Sequence, residues 1–250
     1  NYHKNWNEWK LKNGKPIALI DSFKISQSLN NFKSYFQNIG YLENIAEFKL
    51  LKNNLKDRYA TVDYIIKTGP QYYIGDVSLV TKSKIIDSIF NNDIEKSFLK
   101  KNGVFETLNF QKERDRINSL MKNNGIYNFQ INSIFFDVEI DSTREVYSLP
   151  VKIIVEGDDY RKHSIKEINF INVKNGEEYK EKSFLTNQIE FKENEPFNDS
   201  LRSKTIQNLN NIDLFSFPSI GYEYLSESDK ELSANIFLNP KKKYGLGFGF

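Results

Sequence analysis

Phe36-Gln37-Asn38-Ile39-Gly40-Tyr41 closes a helical run and stands just ahead of two strand-like runs. Upstream, Leu29, Phe32 and Phe36 fall on one face of a 3.6-residue period. Gly40 is placed to take the left-handed conformation that stops a helix. Ser26 or Ser28 is expected to cap its start. Downstream, residues 45–51 and 60–67 read as strands about a polar turn. In the second of them, Ala60-Thr61-Val62-Asp63-Tyr64-Ile65-Ile66 alternates as a half-buried strand does.

The same order of elements returns twice. A stripe of Phe110, Ile117, Leu120 and Met121, with Asn109 as the expected cap, runs into Asn123-Asn124-Gly125. Strands are then expected at 131–140 and 146–156. A third helix, capped by Asn198 and carrying Leu201, Ile206 and Leu209, stops at Asn210-Asn211-Ile212-Asp213, ahead of strands at 221–225 and 232–238. The stops at Gly40, Gly125 and Asp213 are roughly 85 to 88 residues apart, a period of repeated modules. Opening strands are expected at 72–80 and 164–171. The first copy lacks one, because residues 1–12 read as helix, with Trp6 and Trp9 spaced i, i+3.

Each module thus reads β-α-α-β-β, with helices on one face of a three-stranded sheet, an α+β class. The expected division is 1–70, 71–160 and 161–240, with 241–250 as a separate segment. Pro150 conflicts with this scheme, since it falls in a strand expected to be paired on both sides.

Composition narrows the function. The 250 residues carry 35 basic and 33 acidic side chains, a net charge of +2, so a nucleic-acid partner is not expected. The absence of cysteine removes thiolate metal sites, thiol nucleophiles and disulfides. With His3 and His163 as the two histidines, a catalytic triad or a histidine-rich metal site is hard to assemble. No run of 18 apolar residues exists for a membrane helix. The start at Asn1 and the end at Phe250 read as the bounds of a piece of a longer chain.

The last segment alternates without a break. In Tyr244-Gly245-Leu246-Gly247-Phe248-Gly249-Phe250 apolar side chains take one side and glycine the other, as a lipid-facing barrel strand requires. Tyr244, beside Lys241–Lys243, would sit at the membrane interface. Tyr244, Leu246, Phe248 and Phe250 are the expected membrane-facing residues, in the first strand of a transmembrane β-barrel.

Tandem β-α-α-β-β modules leading into a barrel resemble the POTRA domains of the BamA/TamA superfamily of outer-membrane assembly proteins. Gly14-Lys15-Pro16-Ile17-Ala18-Leu19-Ile20-Asp21 resembles the Gly-x-Pro-Pro-Val-Leu-x-Asp stretch of the TamL branch in Bacteroidetes, with Ile17 and Ala18 where Pro and Val are usual. Phe36–Tyr41 resembles the Leu-x-x-x-Gly-Tyr-Phe at the family's helix end, and the segments at 121–127 and 209–215 take the same place. Gly69-Pro70-Gln71-Tyr72-Tyr73-Ile74-Gly75-Asp76-Val77 resembles the family's junction between consecutive domains.

The resemblance implies a periplasmic scaffold at the outer membrane that binds unfolded or nascent outer-membrane proteins and a TamB-like periplasmic partner. Lipid would be met through the barrel. It also implies that the second strand of each module is a free edge for strand addition. Phe48, Leu50, Phe136, Val138, Tyr222 and Tyr224 are the expected protein-binding side chains. A two-partner-secretion-type transporter carries similar domains and is the alternative within the superfamily. A soluble α+β enzyme is the alternative outside it.

No active site is found in the sequence. His163, after Arg161-Lys162, reads as a solvated turn residue, and His3 lies in a polar terminus. Asp137, Glu139 and Asp141 read as an exposed strand face without the glycine-containing loop that calcium wants. Glu113-Arg114-Asp115-Arg116 reads as a surface salt-bridge ladder. Catalytic residues, metal and cofactor are therefore all expected to be none.

Overall fold

The computed structural model describes residues 6, 8, 9, 12, 20–52, 60–140, 147–180, 182–225 and 230–241. His3, residues 13–19, Asp141, the turn at 226–229 and the expected barrel residues Tyr244, Leu246, Phe248 and Phe250 lie outside them. The chain divides into two compact units, Asn1–Tyr73 with Val104–Thr107, and Ile74–Gly103 with Leu108–Phe250.

In the first unit, helix α1 (Ser22–Asn38) begins five to seven residues earlier than expected. Asp21 caps it, its carboxylate accepting from Phe23 N at 2.9 Å and Lys24 N at 3.4 Å. Ser26 and Ser28 are inside the helix, and Ser28 Oγ donates to Lys24 O. A carboxylate that takes two orphan amides outcompetes a serine further along. At the other end Tyr41 N donates back to Phe36 O at 2.9 Å across Gly40, the six-to-one closure that needs a left-handed residue. Strands β1 (Ile45–Lys52) and β2 (Ala60–Lys67) pair antiparallel from Ile45↔Lys67 to Lys52↔Ala60 without a shift. Phe32 of α1 packs on Tyr64 of β2 with ring centroids 5.3 Å apart. Trp6 and Trp9 are helical and stack at 5.4 Å.

The second unit holds two three-stranded sheets. In one, β3 (Tyr73–Thr81), β4 (Ile134–Val138) and β5 (Ser148–Val155) take the order β3-β5-β4. Helices α2 (Lys84–Asn91) and α3 (Thr107–Asn123) lie between β3 and β4 in the chain. Residues 131–133, expected as strand, form a 3-10 turn. Asn109, expected as a cap, lies inside the first turn of α3. Pro150 is accommodated in the central strand because the β4 ladder ends at Val138↔Val151, one residue short of it. On the β3 side Gly75 lies so near that an added Cβ would stand 3.1 Å from Pro150 N.

The buried stripe of α3 is Glu113, Ile117 and Met121, and this overturns the surface ladder. The i, i+4 spacing puts Glu113 in line with Ile117. Its carboxylate accepts from Phe98 N at 2.9 Å and from Arg116 Nε and Nη2 at 3.0 and 2.7 Å. Arg116 Nη1 reaches Asp93 at 2.9 Å, and its guanidinium lies over the Phe90 ring. A fully buried carboxylate persists because each of its oxygens has a donor. The Lys96 hydrogen bond, with Arg116 adding to it, holds the Asp93 carboxyl below its usual range.

In the other sheet, β6 (Ser164–Asn172) runs parallel to β8 (Glu231–Pro240), and β7 (Phe215–Tyr224) pairs antiparallel with β8 on its far side. Of the helices, α4 (Ser183–Thr186) is a single turn, and α5 (Asp199–Asn211) starts at the expected Asn198 cap. Phe170, Phe191, Leu209, Ile236 and Leu238 centre the core. The three expected helix stops are all left-handed, with φ of +92° at Gly40, +94° at Gly125 and +55° at Asp213.

Candidate protein-binding edges

The order β3-β5-β4 and the order β6-β8-β7 both place the last strand of the module centrally and leave its second strand, β4 or β7, at an edge. In the first unit β1 is an edge as well, and β2 has no partner on its other side among the described residues. An edge offers unpaired N–H and C=O groups to an extended chain, unless shortness, charge or a bulge blunts it.

The three edges differ in how they are blunted. β4 spans Ile134–Val138 only, and its outer face carries Asp137, with Glu139 just beyond. Lys152 on β5 bonds Glu139 at 2.6 Å and stands 3.9 Å from Asp137. That hydrogen bond and its charge hold Glu139 below the usual carboxylate range. β7 is longer but bulged between Ser216 and Ser219, which leaves 219–224 regular. β1 is regular along its whole length and exposes Ile45, Phe48, Leu50 and Leu51.

The six expected side chains are placed as follows. Phe48 is opposite Tyr64, the residue that meets α1, so Phe48 and Leu50 lie on the helix-bearing face, each somewhat less than half exposed. Phe136 packs edge-on against Phe110 of α3 under the Arg114 guanidinium, and Val138 shares that face. Tyr222 and Tyr224 point to an aromatic cluster with Tyr127 and His163 or Phe197. Burial pushes the Tyr222 hydroxyl well above its usual pKa, and among the described residues that hydroxyl has no hydrogen-bond partner. The side chains that face outward from these edges are others, such as Phe135 on β4 and Ile45 and Leu51 on β1.

Within each unit the helix stop also forms a joint with later segments of the chain, the first of them in the junction motif at 69–77. Gly40 O accepts from Tyr72 N at 2.8 Å, and Tyr72 O accepts from Phe105 N at 3.0 Å. One period later Gly125 O accepts from His163 N at 2.8 Å, and His163 O accepts from Phe197 N at 2.9 Å. The asparagine at each helix end joins in. Asn38 Oδ1 accepts from Thr107 Oγ1 at 3.1 Å, and Asn123 Oδ1 accepts from Ser200 N and Oγ at 2.9 and 3.0 Å.

His163 is thus a joint residue, 3% exposed, packed on the Tyr127 ring and flanked by Tyr224. The solvated-turn expectation fails because the backbone at 163 bonds on both sides and draws the ring inward. The legible signal was the alignment of His163 with Tyr72 in the repeat.

Among the described residues no group of three or more His, Asp or Glu side chains is placed to hold a metal ion. A groove of about 650 Å³ beside β6 is lined by Ile168, Phe170, Lys182, Ile189, Phe191 and Glu193 among others, without a convergent pair of acids.

No family model matches the sequence, and no curated protein matches it. Solved structures do. BamA from Haemophilus ducreyi lacking POTRA domains 1-3 is 13% identical with a TM-score of 0.51, covering 68% of this chain and 30% of that one. Haemophilus influenzae BamA POTRA3-5 is 14% identical with a TM-score of 0.48, over 86% of this chain and 80% of that one. CdiB from Acinetobacter baumannii is 11% identical with a TM-score of 0.32, over 90% and 40%. The first of these likenesses shows a shared α+β fold of the POTRA kind.

Proposed function

We propose that this chain is a periplasmic scaffold of an outer-membrane assembly factor, three POTRA domains at 1–70, 71–160 and 161–240 followed by the first barrel strand at 241–250. It binds extended segments of client proteins by strand addition and catalyses nothing. The strand order carries the reading, because among the described residues the second strand of each module is left unpaired on one side. Main-chain bonding at such an edge tolerates many client sequences, as a factor that handles many barrel strands requires. Gly14–Asp21 supports the TamL branch and, with it, a TamB-like partner at the first module. The Tyr244–Phe250 alternation supports an outer-membrane localisation.

The test is amide mapping with a heptapeptide of alternating aromatic and polar residues. Amide signals should shift and gain exchange protection first in β1, then at 219–224 of β7, and least in β4. The ranking follows the length of regular edge in each. Shifts confined to α1, α3 and α5 would rule strand addition out.

A further inference from the structure

Phe217 combines two unfavourable features. It is 94% exposed, and its φ of +51° is a left-handed conformation that a bulky L-residue ahead of a proline avoids. The bulge of β7 imposes this, setting one more residue between Ser216 and Ser219 than β8 has between Asn239 and Phe237. Bulges re-aim side chains, and this one aims an aromatic ring away from its own core. With the ring 94% exposed, no packing among the described residues offsets this strain, so the offset lies outside them.

The surroundings say what the ring meets. Phe215 is opposite Pro240, so Phe217 lies near the end of the sheet where β8 leads into residues 241–250. Leu214 and Val173, each about half exposed, flank the same end: Lys241 N donates to Leu214 O, and Val173 N donates to Leu238 O. Lys174 stands there with Nζ on Pro240 O at 2.6 Å, and Lys241 pairs with Asp213. Lys242 and Lys243 follow in the sequence. Apolar side chains flanked by Lys174 and Lys241, with Lys242 and Lys243 next in sequence, at an end where lysines outnumber the acids Asp213 and Glu177, match an anionic phospholipid surface.

We propose that this end of the third sheet is a lipid-facing foot: Phe217, with Leu214 and Val173, enters the headgroup layer while Lys174 and Lys241 meet lipid phosphates. The proposal rests on the reading of 241–250 as a membrane strand, and the test separates the two. Binding to vesicles of phosphatidylethanolamine and phosphatidylglycerol is measured by flotation for the 250-residue chain and for a chain ending at Lys241, which keeps every described residue.

Phe217→Gly removes the ring while suiting the backbone, so the fold is retained. It should weaken binding about tenfold in both chains, the effect of losing one aromatic insertion. Phe23→Ser, at an exposed aromatic in α1, should leave binding unchanged. Pure phosphatidylcholine vesicles should bind less. Equal binding by Phe217→Gly and the parent overturns the foot. If removing 242–250 also abolishes that binding, the membrane-strand reading stands while the foot falls.

Discussion

β2 and β8 are the same strand of two modules, and they end in different surroundings. Both carry an alternating pattern. In β8, Leu232, Ala234, Ile236 and Leu238 are fully buried. Even its other face is covered, for Ser233 and Asn235 are less than a tenth exposed and bonded by Asn169. In β2 no residue is buried, and Tyr64 is 36% exposed. β8 has β6 on one side and β7 on the other, whereas β2 pairs with β1 alone among the described residues. Alternation specifies which face of a strand is apolar, while burial is supplied by the strands beside it.

The largest effect that would break this contrast is a truncation in each strand. Ile236→Ala should cost about 4 kcal/mol, since a fully enclosed side chain leaves a cavity. Val62→Ala should cost less than about 1 kcal/mol, because Val62 is only half-buried. Denaturant unfolding read through the amides of each sheet measures both. Equal costs would mean that the open side of β2 is covered in solution by another segment.

A smaller effect sharpens the comparison between the two modules of the second unit. The second module holds the N–H of Phe98 with a buried carboxylate, Glu113, while the third holds the N–H of Glu190 with the Thr205 hydroxyl at 2.9 Å. Both side chains are fully buried. Glu113→Ala strands the Arg116 guanidinium as well as an amide and should cost about 3 kcal/mol. Thr205→Val leaves one amide unmet and should cost about 1 kcal/mol. Thermal unfolding of the two variants checks the order.

The features legible in sequence were the local ones. A left-handed stop is written in Gly40, Gly125 and Asp213, and a half-buried strand in the alternation of 60–66. Glu113 was illegible because charge argues for the surface, while its donor Phe98 N and the Asp93 carboxylate that holds Arg116 arrive from other parts of the chain. The burial of His163 was written only in its alignment with Tyr72, since the enclosing Tyr127 and Tyr224 rings and the Phe197 amide are distant in sequence. The exposed edges followed from the strand order implied by resemblance. Which side chains stand on their outer faces depended on where the helices pack, a relation between elements.

The smallest effect tests whether the joints are alike in more than hydrogen bonds. Gly40 and Gly125 share a left-handed φ and the same carbonyl role, but their surroundings differ. A Cβ on Gly40 would stand 3.0 Å from Phe105 O and 3.1 Å from Tyr72 O, both backbone atoms. On Gly125 the nearest atoms, His163 O and the Lys162 side chain, are 3.6 Å away, an ordinary contact. Gly125→Ala should therefore pay conformational strain alone, about 1 kcal/mol. Gly40→Ala should add displacement of the relay carbonyls, for a total of about 2 kcal/mol, and exchange at Tyr72 N and Phe105 N should quicken. Equal losses at the two glycines would mean that the Gly40 joint opens enough to admit a methyl group, and the relay would then be a preference of the chain rather than a constraint on it.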